Sequence, residues 1–140
     1  SLVSGVRSVE AVDMENRALR VHVAQAPTVN NAVMRAELRS GTLSLFKIEV
    51  VRDAAGATTL ACIAGATSIY TGTFADPHVR LRFTTDEVFC ETSADGATFT
   101  NRGMRSAFAP VSVELGLVAT VEGMVTGTGM AAFRQVTTCP

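Results

Sequence analysis

Alternation of apolar and polar residues with a period of two runs through most of this 140-residue chain and constrains its fold more than any other feature. Successive side chains of a strand point to opposite faces, so such a pattern fits a sheet buried on one side. Leu19, Val21 and Val23 alternate with Arg20, His22 and Ala24; Phe46, Ile48 and Val50 with Lys47 and Glu49; Val79, Leu81 and Phe83 with Arg80 and Arg82. The longest case sets Val111, Val113, Leu115, Leu117, Ala119 and Val121 against Ser112, Glu114, Gly116, Val118, Thr120 and Glu122. A run of that length, about twice an ordinary strand, either bends at a bulge near Gly116 or reaches beyond its own sheet.

Turn chemistry separates these segments. Arg52-Asp53-Ala54-Ala55-Gly56 joins the Phe46 strand to Thr58–Ile63, and Ala94-Asp95-Gly96 joins Val88–Thr92 to Ala97–Thr100. Each supplies a Gly suited to the positive φ of a hairpin. Gly123 and Gly127-Thr128-Gly129 punctuate the last segment before Met130–Val136. One stretch departs from the period. After Pro27, Val29, Ala32, Val33 and Ala36 fall at helical spacing, with Thr28 or Asn30 as cap and Gly41 as stop. These predict one short α-helix over residues 28–40, the alternative being a strand-to-strand loop at Asn30-Asn31. The expected architecture is mainly β, one domain over residues 1–140, an antiparallel β-sandwich or barrel of about eight strands with that helix at its flank.

Composition decides which functions are open. Apolar residues make up 47% of the chain, enough for a core and too many for disorder. Charged residues are 18%, so much of the boundary is uncharged, and other copies of the chain are expected to cover part of it. Val111, Val113, Leu115, Leu117 and Val121 are the candidate subunit interface. A net charge of −1 gives no whole-chain attraction to nucleic acid or an anionic membrane. Apolar stretches such as Met130-Ala131-Ala132-Phe133 are far short of a spanning helix, and the Ser-Leu-Val-Ser-Gly start does not read as a secretory leader. A soluble protein without a membrane partner is expected.

The enzymatic inventory is thin. His22 and His78 lie on separate segments without metal-ligand spacing, and His22 alternates outward as a surface residue. In Asp76-Pro77-His78 a carboxylate could orient an imidazole as a base, although a turn before the Val79 strand explains the same residues. The glycine-rich 123–129 segment lacks the Lys-Ser or Lys-Thr of a phosphate loop. Arg80, Arg82, Arg102 and Arg105 could meet phosphates, but aromatic interleaving is poor, with no Trp and one Tyr. No catalytic, cofactor-binding or metal residues are assigned, and no cofactor is expected. The three cysteines, Cys62, Cys90 and Cys139, are odd in number and lack close pairs. They read as reduced thiols, with a Cys62–Cys90 disulfide as the alternative.

Residues 26–59 resemble phage tail-tube subunits of the contractile-tail type. The matching residues are Ala26-Pro27-Thr28 with Asn30-Asn31, the expected helix through Val33 and Leu38, then Phe46, Ile48, Val50, Asp53, Gly56, Thr58 and Thr59. Gly65-Ala66-Thr67-Ser68-Ile69 stands where that family carries a Trp-containing segment. The resemblance implies a self-assembling virion structural protein, assembled in the host cytoplasm, whose six-fold rings stack into a tube that passes DNA and meets other virion proteins. A capsid-decorating subunit is the related case. Two competing readings are a small-molecule or lipid-binding β-barrel and an enzyme working through Asp76 and His78.

Overall fold

The alternating segments become strands of two sheets in a computed structural model that describes residues 2–7, 11–121 and 131–139. Eleven strands are described: β1 (Leu2–Arg7), β2 (Ala18–Gln25), β3 (Ala32–Ser40), β4 (Leu43–Arg52), β5 (Thr58–Ala64), β6 (Thr67–Thr73), β7 (His78–Phe83), β8 (Glu87–Ser93), β9 (Thr100–Ser106), β10 (Glu114–Val121) and β11 (Ala132–Cys139). One sheet has six strands in the order β1-β10-β3-β4-β5-β6, the other five in the order β11-β2-β7-β8-β9. All pairs are antiparallel. The expected mainly-β sandwich is therefore present.

The core lies between the sheets. From the six-stranded sheet Met34, Ala36, Leu38, Phe46, Ile48, Val50 and Leu60 point inward; from the five-stranded sheet Leu19, Val21, Val23, Val79, Leu81, Phe83 and Val88 meet them, all buried. Phe46 and Phe83 pack edge to face across the interface, with ring centroids 4.9 Å apart. Met14, from the segment before β2, is also fully buried.

Three expectations are corrected. No helix forms among the described residues, and residues 32–40 are instead β3, held between β10 and β4. Ala32, Met34, Ala36 and Leu38 face the core, and Arg35, Glu37 and Arg39 alternate outward. Small residues at 32 and 36 satisfy helical spacing as well, and only the partner strands decide between the two. Asn31 takes φ +57° at the turn before β3. Asn30 clamps that turn to the β4–β5 hairpin, its Nδ2 donating to Ala54 O and its Oδ1 accepting from Arg52 Nε, each at 3.0 Å.

The second correction is chemical. Cys62 and Cys90 are not reduced thiols but a disulfide joining β5 to β8, hence one sheet to the other through the core; Cys139 is free. Both residues sit on inward positions of their strands, which spacing along the chain does not reveal. Closing a loop of 28 residues contributes about 3 to 4 kcal/mol in the chain-entropy account.

The third concerns the long run at 111–122. Strand β10 begins only at Glu114, because Ser112 takes φ +55° and breaks the extension. Its register against β1 and β3 is unbroken, so no bulge forms at Gly116. That glycine serves packing instead: a Cβ there would lie 3.1 Å from Glu37 Cγ. Glu122 and the 123–129 glycine stretch lie outside the described residues.

Candidate binding site

Register builds a polar cluster on the outer face of the five-stranded sheet. Arg20 pairs with Arg80 and Arg80 with Glu91, while His22 pairs with His78 and His78 with Ser93. Directly paired residues share a face. With Leu19, Val21, Val79 and Leu81 committed to the core, Arg20, His22, His78, Arg80 and Arg82 must face outward. Glu91 is only 6% exposed. Its Oε1 accepts from Arg82 Nε at 3.1 Å and Nη2 at 3.0 Å, and its Oε2 accepts from Arg80 Nε. Burial pushes the Glu91 carboxyl up, but the hydrogen bonds and charges of Arg82 and Arg80 outweigh it and hold it below the usual carboxylate range.

The β8–β9 loop folds over one end of this face. Asp95 Oδ1 accepts from Ser93 Oγ, Ala97 N and Thr98 N, and Gly96 N donates to Ser93 Oγ. The backbone donors Thr98 and Ala97, then the Ser93 hydroxyl, hold the Asp95 carboxyl down at about 2. Arg20 Nη2 donates to Gly96 O at 2.7 Å. Gly96 has φ +78°, and a Cβ there would come 2.9 Å from His78 Cε1, so both conformation and contact call for glycine. The loop also delivers Phe99, whose ring centre lies 4.0 Å from the Arg80 guanidinium carbon and 5.1 Å from that of Arg20.

Between loop, β2, β7 and β11 lies an open cleft of about 510 Å³, lined by Arg20, His22, His78, Asp95, Gly96, Phe99 and the β11 residues Thr137, Thr138 and Cys139, with Val21 behind. The His22 and His78 rings stack with centroids 4.1 Å apart and planes 23° from parallel. Desolvation, then the neighbouring His78 and Arg134, lower the His22 pKa. Neither imidazole makes a hydrogen bond to a described residue. The cleft can therefore offer ring faces and unused polar atoms together.

Other residues singled out in the sequence fall elsewhere. Asp76 and His78 do not form a dyad: Asp76 Oδ2 accepts from Thr92 Oγ1 at 2.7 Å and Arg102 Nη2 at 3.2 Å, and Asp76 lines a separate cleft of about 320 Å³ with Tyr70 and Arg102. Arg80 and Arg82 share a face as the alternation requires, yet both are engaged by Glu91, while Arg105 is exposed on β9. Val113 is fully buried and Val111 is 66% exposed; Leu115 and Leu117 pack partly against the core. All but Val111 and Val113 belong to β10, which has strand neighbours on both sides. Nothing is described of the Val121 side chain. Arg20, Asp95 and Phe99 carried no local signal for a site: they meet only through strand pairing and the path of one loop.

No family model matches the sequence, and no curated protein matches it either. Solved structures do. The legume lectin-like domain from Entamoeba histolytica superposes with a TM-score of 0.68 at 12% identity, over 97% of this chain and 77% of that one. The fold is similar to that domain's. The VIP36 exoplasmic/lumenal domain in its Ca²⁺- and mannose-bound form gives a TM-score of 0.64 at 9% identity, over 94% of this chain and 71% of that one. A toad ovary galectin in complex with thio-digalactose gives 0.50 at 11%, over 99% and 98%. These likenesses overturn the tail-tube resemblance, which rested on a helix that is absent and on hairpin residues common to many sheets. The virion location and the tube and capsid roles drawn from it are withdrawn with it. VIP36 holds calcium in that structure. Among the described residues here, no three His, Cys, Asp or Glu side chains come together to hold a metal ion.

Proposed function

We propose that this chain is a carbohydrate-binding module without enzymatic activity, and that the saccharide sits in the cleft formed by Arg20, His22, His78, Phe99 and Thr137. One observation carries the reading: on a sandwich similar to a legume lectin-like domain, an open cleft combines flat ring faces with hydrogen-bonding groups that have no partner among the described residues. A sugar ring presents the complement, apolar C–H faces edged by hydroxyls that both donate and accept. The small-molecule reading is thus kept, but on the outside of a packed sandwich. Against the enzyme reading, Asp76 bonds Thr92 and Arg102 rather than His78. The buried Cys62–Cys90 disulfide supports maturation in an oxidising compartment, where such bonds persist.

Screening the purified chain on a glycan array, followed by calorimetry on the best ligand, tests this. Binding is expected at sub-millimolar Kd or tighter, and Phe99→Ala should weaken it about tenfold through loss of the ring contact. Absence of binding to any saccharide would falsify the reading.

A further inference from the structure

The polar atoms left open in the cleft are unevenly divided between donors and acceptors. Arg20 uses Nη2 on Gly96 O, while its Nε and Nη1 have no partner among the described residues. Both imidazoles are likewise open, and the Thr137 and Thr138 hydroxyls can donate. The lining contains one carboxylate, Asp95, and its Oδ1 already accepts three hydrogen bonds from its own loop. Glu91, behind the cleft, is held by two guanidiniums. On the outer face Arg20, Arg80 and Arg82 outnumber Glu87 and Glu91, and Arg134 on β11 adds a further positive charge near His22.

The opposite outer face shows that this imbalance is local. There Arg35, Arg39 and Lys47 stand against Glu49, Glu37 and Glu114, three charges of each sign. A cleft with surplus donors and surplus positive charge is complementary to an anion, whereas a neutral sugar must supply acceptors one hydroxyl at a time.

We propose that this cleft selects acidic saccharides, carrying a carboxylate or a sulfate ester, over their neutral counterparts; the inference rests on the carbohydrate reading above. Arg20 provides the fixed charge, and His22, stacked on His78, a proton-dependent one. The groups facing the pair are Arg20 from β2, Arg80 from β7, Glu91 and Ser93 from β8, Asp95 from the loop, and Arg134 and Cys139 from β11. Desolvation, then the neighbouring His78 and Arg134, make His22 resist charging in the free cleft, and a bound anion reverses that. Affinity for the acidic ligand therefore rises as pH falls through the histidine range.

Calorimetry on matched pairs decides the matter: 3′-sulfolactose against lactose, and tetragalacturonate against its carboxyl-reduced form. At pH 6 the acidic member of at least one pair is expected to bind ten times tighter or more, and that preference should shrink severalfold at pH 8. Arg20→Gln and His78→Gln should each abolish most of it, with thermal melts confirming that at least one of the two folds. Arg105→Gln removes the same charge from an exposed site on β9 and should leave the ratio unchanged. Equal binding within both pairs overturns the acidic preference and leaves the carbohydrate reading standing. An acidic preference that survives both cleft variants, or is constant from pH 6 to pH 8, overturns the proposal as well. No binding by any of the four sugars overturns both.

Discussion

The two outer faces of the sandwich treat the same ingredients differently. On the six-stranded sheet Glu37 is fully buried, with Arg39 Nη1 at 2.6 Å from Oε1 and Ser44 Oγ at 2.7 Å from Oε2, and Arg35 bonds Glu49 at 2.7 Å. Gly116 leaves the room that this carboxylate fills. On the five-stranded sheet Glu91 is gripped in a similar way, but next to it Arg20, bonded through Nη2 to Gly96 O, and two histidines keep polar atoms without a hydrogen bond to any described residue beneath a folded loop. Both arginines of the first face meet carboxylates, and Arg39 Nε alone among its described buried side-chain atoms goes without a hydrogen bond; the second face keeps its open groups beside a cleft, free to meet something else. The difference teaches that the presence of arginines and glutamates says little, and that the completeness of their pairing says a good deal.

Three measurements break or sharpen this contrast. The largest effect concerns what both faces share: replacing Cys62 and Cys90 together by Ala should lower stability by about 3 to 4 kcal/mol, read as a fall in Tm of about 10 °C. Both faces should be lost in one transition, and separate transitions would show that the sheets unfold independently. Next, Glu37→Gln should cost about 2 kcal/mol in urea melts, because Arg39, only 18% exposed, keeps its charge and loses its counter-ion. Glu91→Gln should cost less, about 1 kcal/mol, since Arg82 is 37% exposed and can turn to water. Equal losses would erase the distinction between a closed and an open face.

The smallest effect is the dependence on pH. For Glu37 burial pushes the carboxyl up, but hydrogen bonds from Ser44 and Arg39 and the charges of Arg39 and Arg35 prevail and hold it low; Glu91 is also lowered. A carboxyl lowered on folding contributes stability that is complete above its unfolded value, 4.5 for both, and is lost as pH falls through the folded value. Acid titration of wild type should show this loss, and Glu37→Gln should flatten it more than Glu91→Gln. His22, also lowered, carries the same sign at a higher pH: its contribution is complete above 6.5 and declines below it. His22→Gln should remove that shallow step.

Strands β2, β4 and β7 were legible in the sequence because large apolar residues alternate there with Arg, Lys, Glu and His. Strands β6 and β9 were harder to read, because at the ends of their sheets Thr, Ser, Asn and Gly leave little contrast between faces. Strand β3 passed for a helix because Ala and Val suit both spacings and its burial comes from β10, distant in the chain. The disulfide, open in the sequence only as the alternative to reduced thiols, and the cleft, which was not legible, share a common reason. Each joins residues from separate strands, Cys62 with Cys90 and His22 with His78, and pairing partners are not written in local pattern. The turn glycine Gly96 was visible, but its contact with His78 was not.

The β8–β9 loop has one more consequence. Ser93, Asp95 and Gly96 tie it into a fixed turn by themselves, and Arg20 anchors it to the sheet. Its shape is thus set in advance of any encounter, so a visiting molecule need not organise the wall it lands on. On the proposed binding reading, recognition would proceed by docking onto a rigid surface, with residence time more than rearrangement distinguishing a good guest from a poor one.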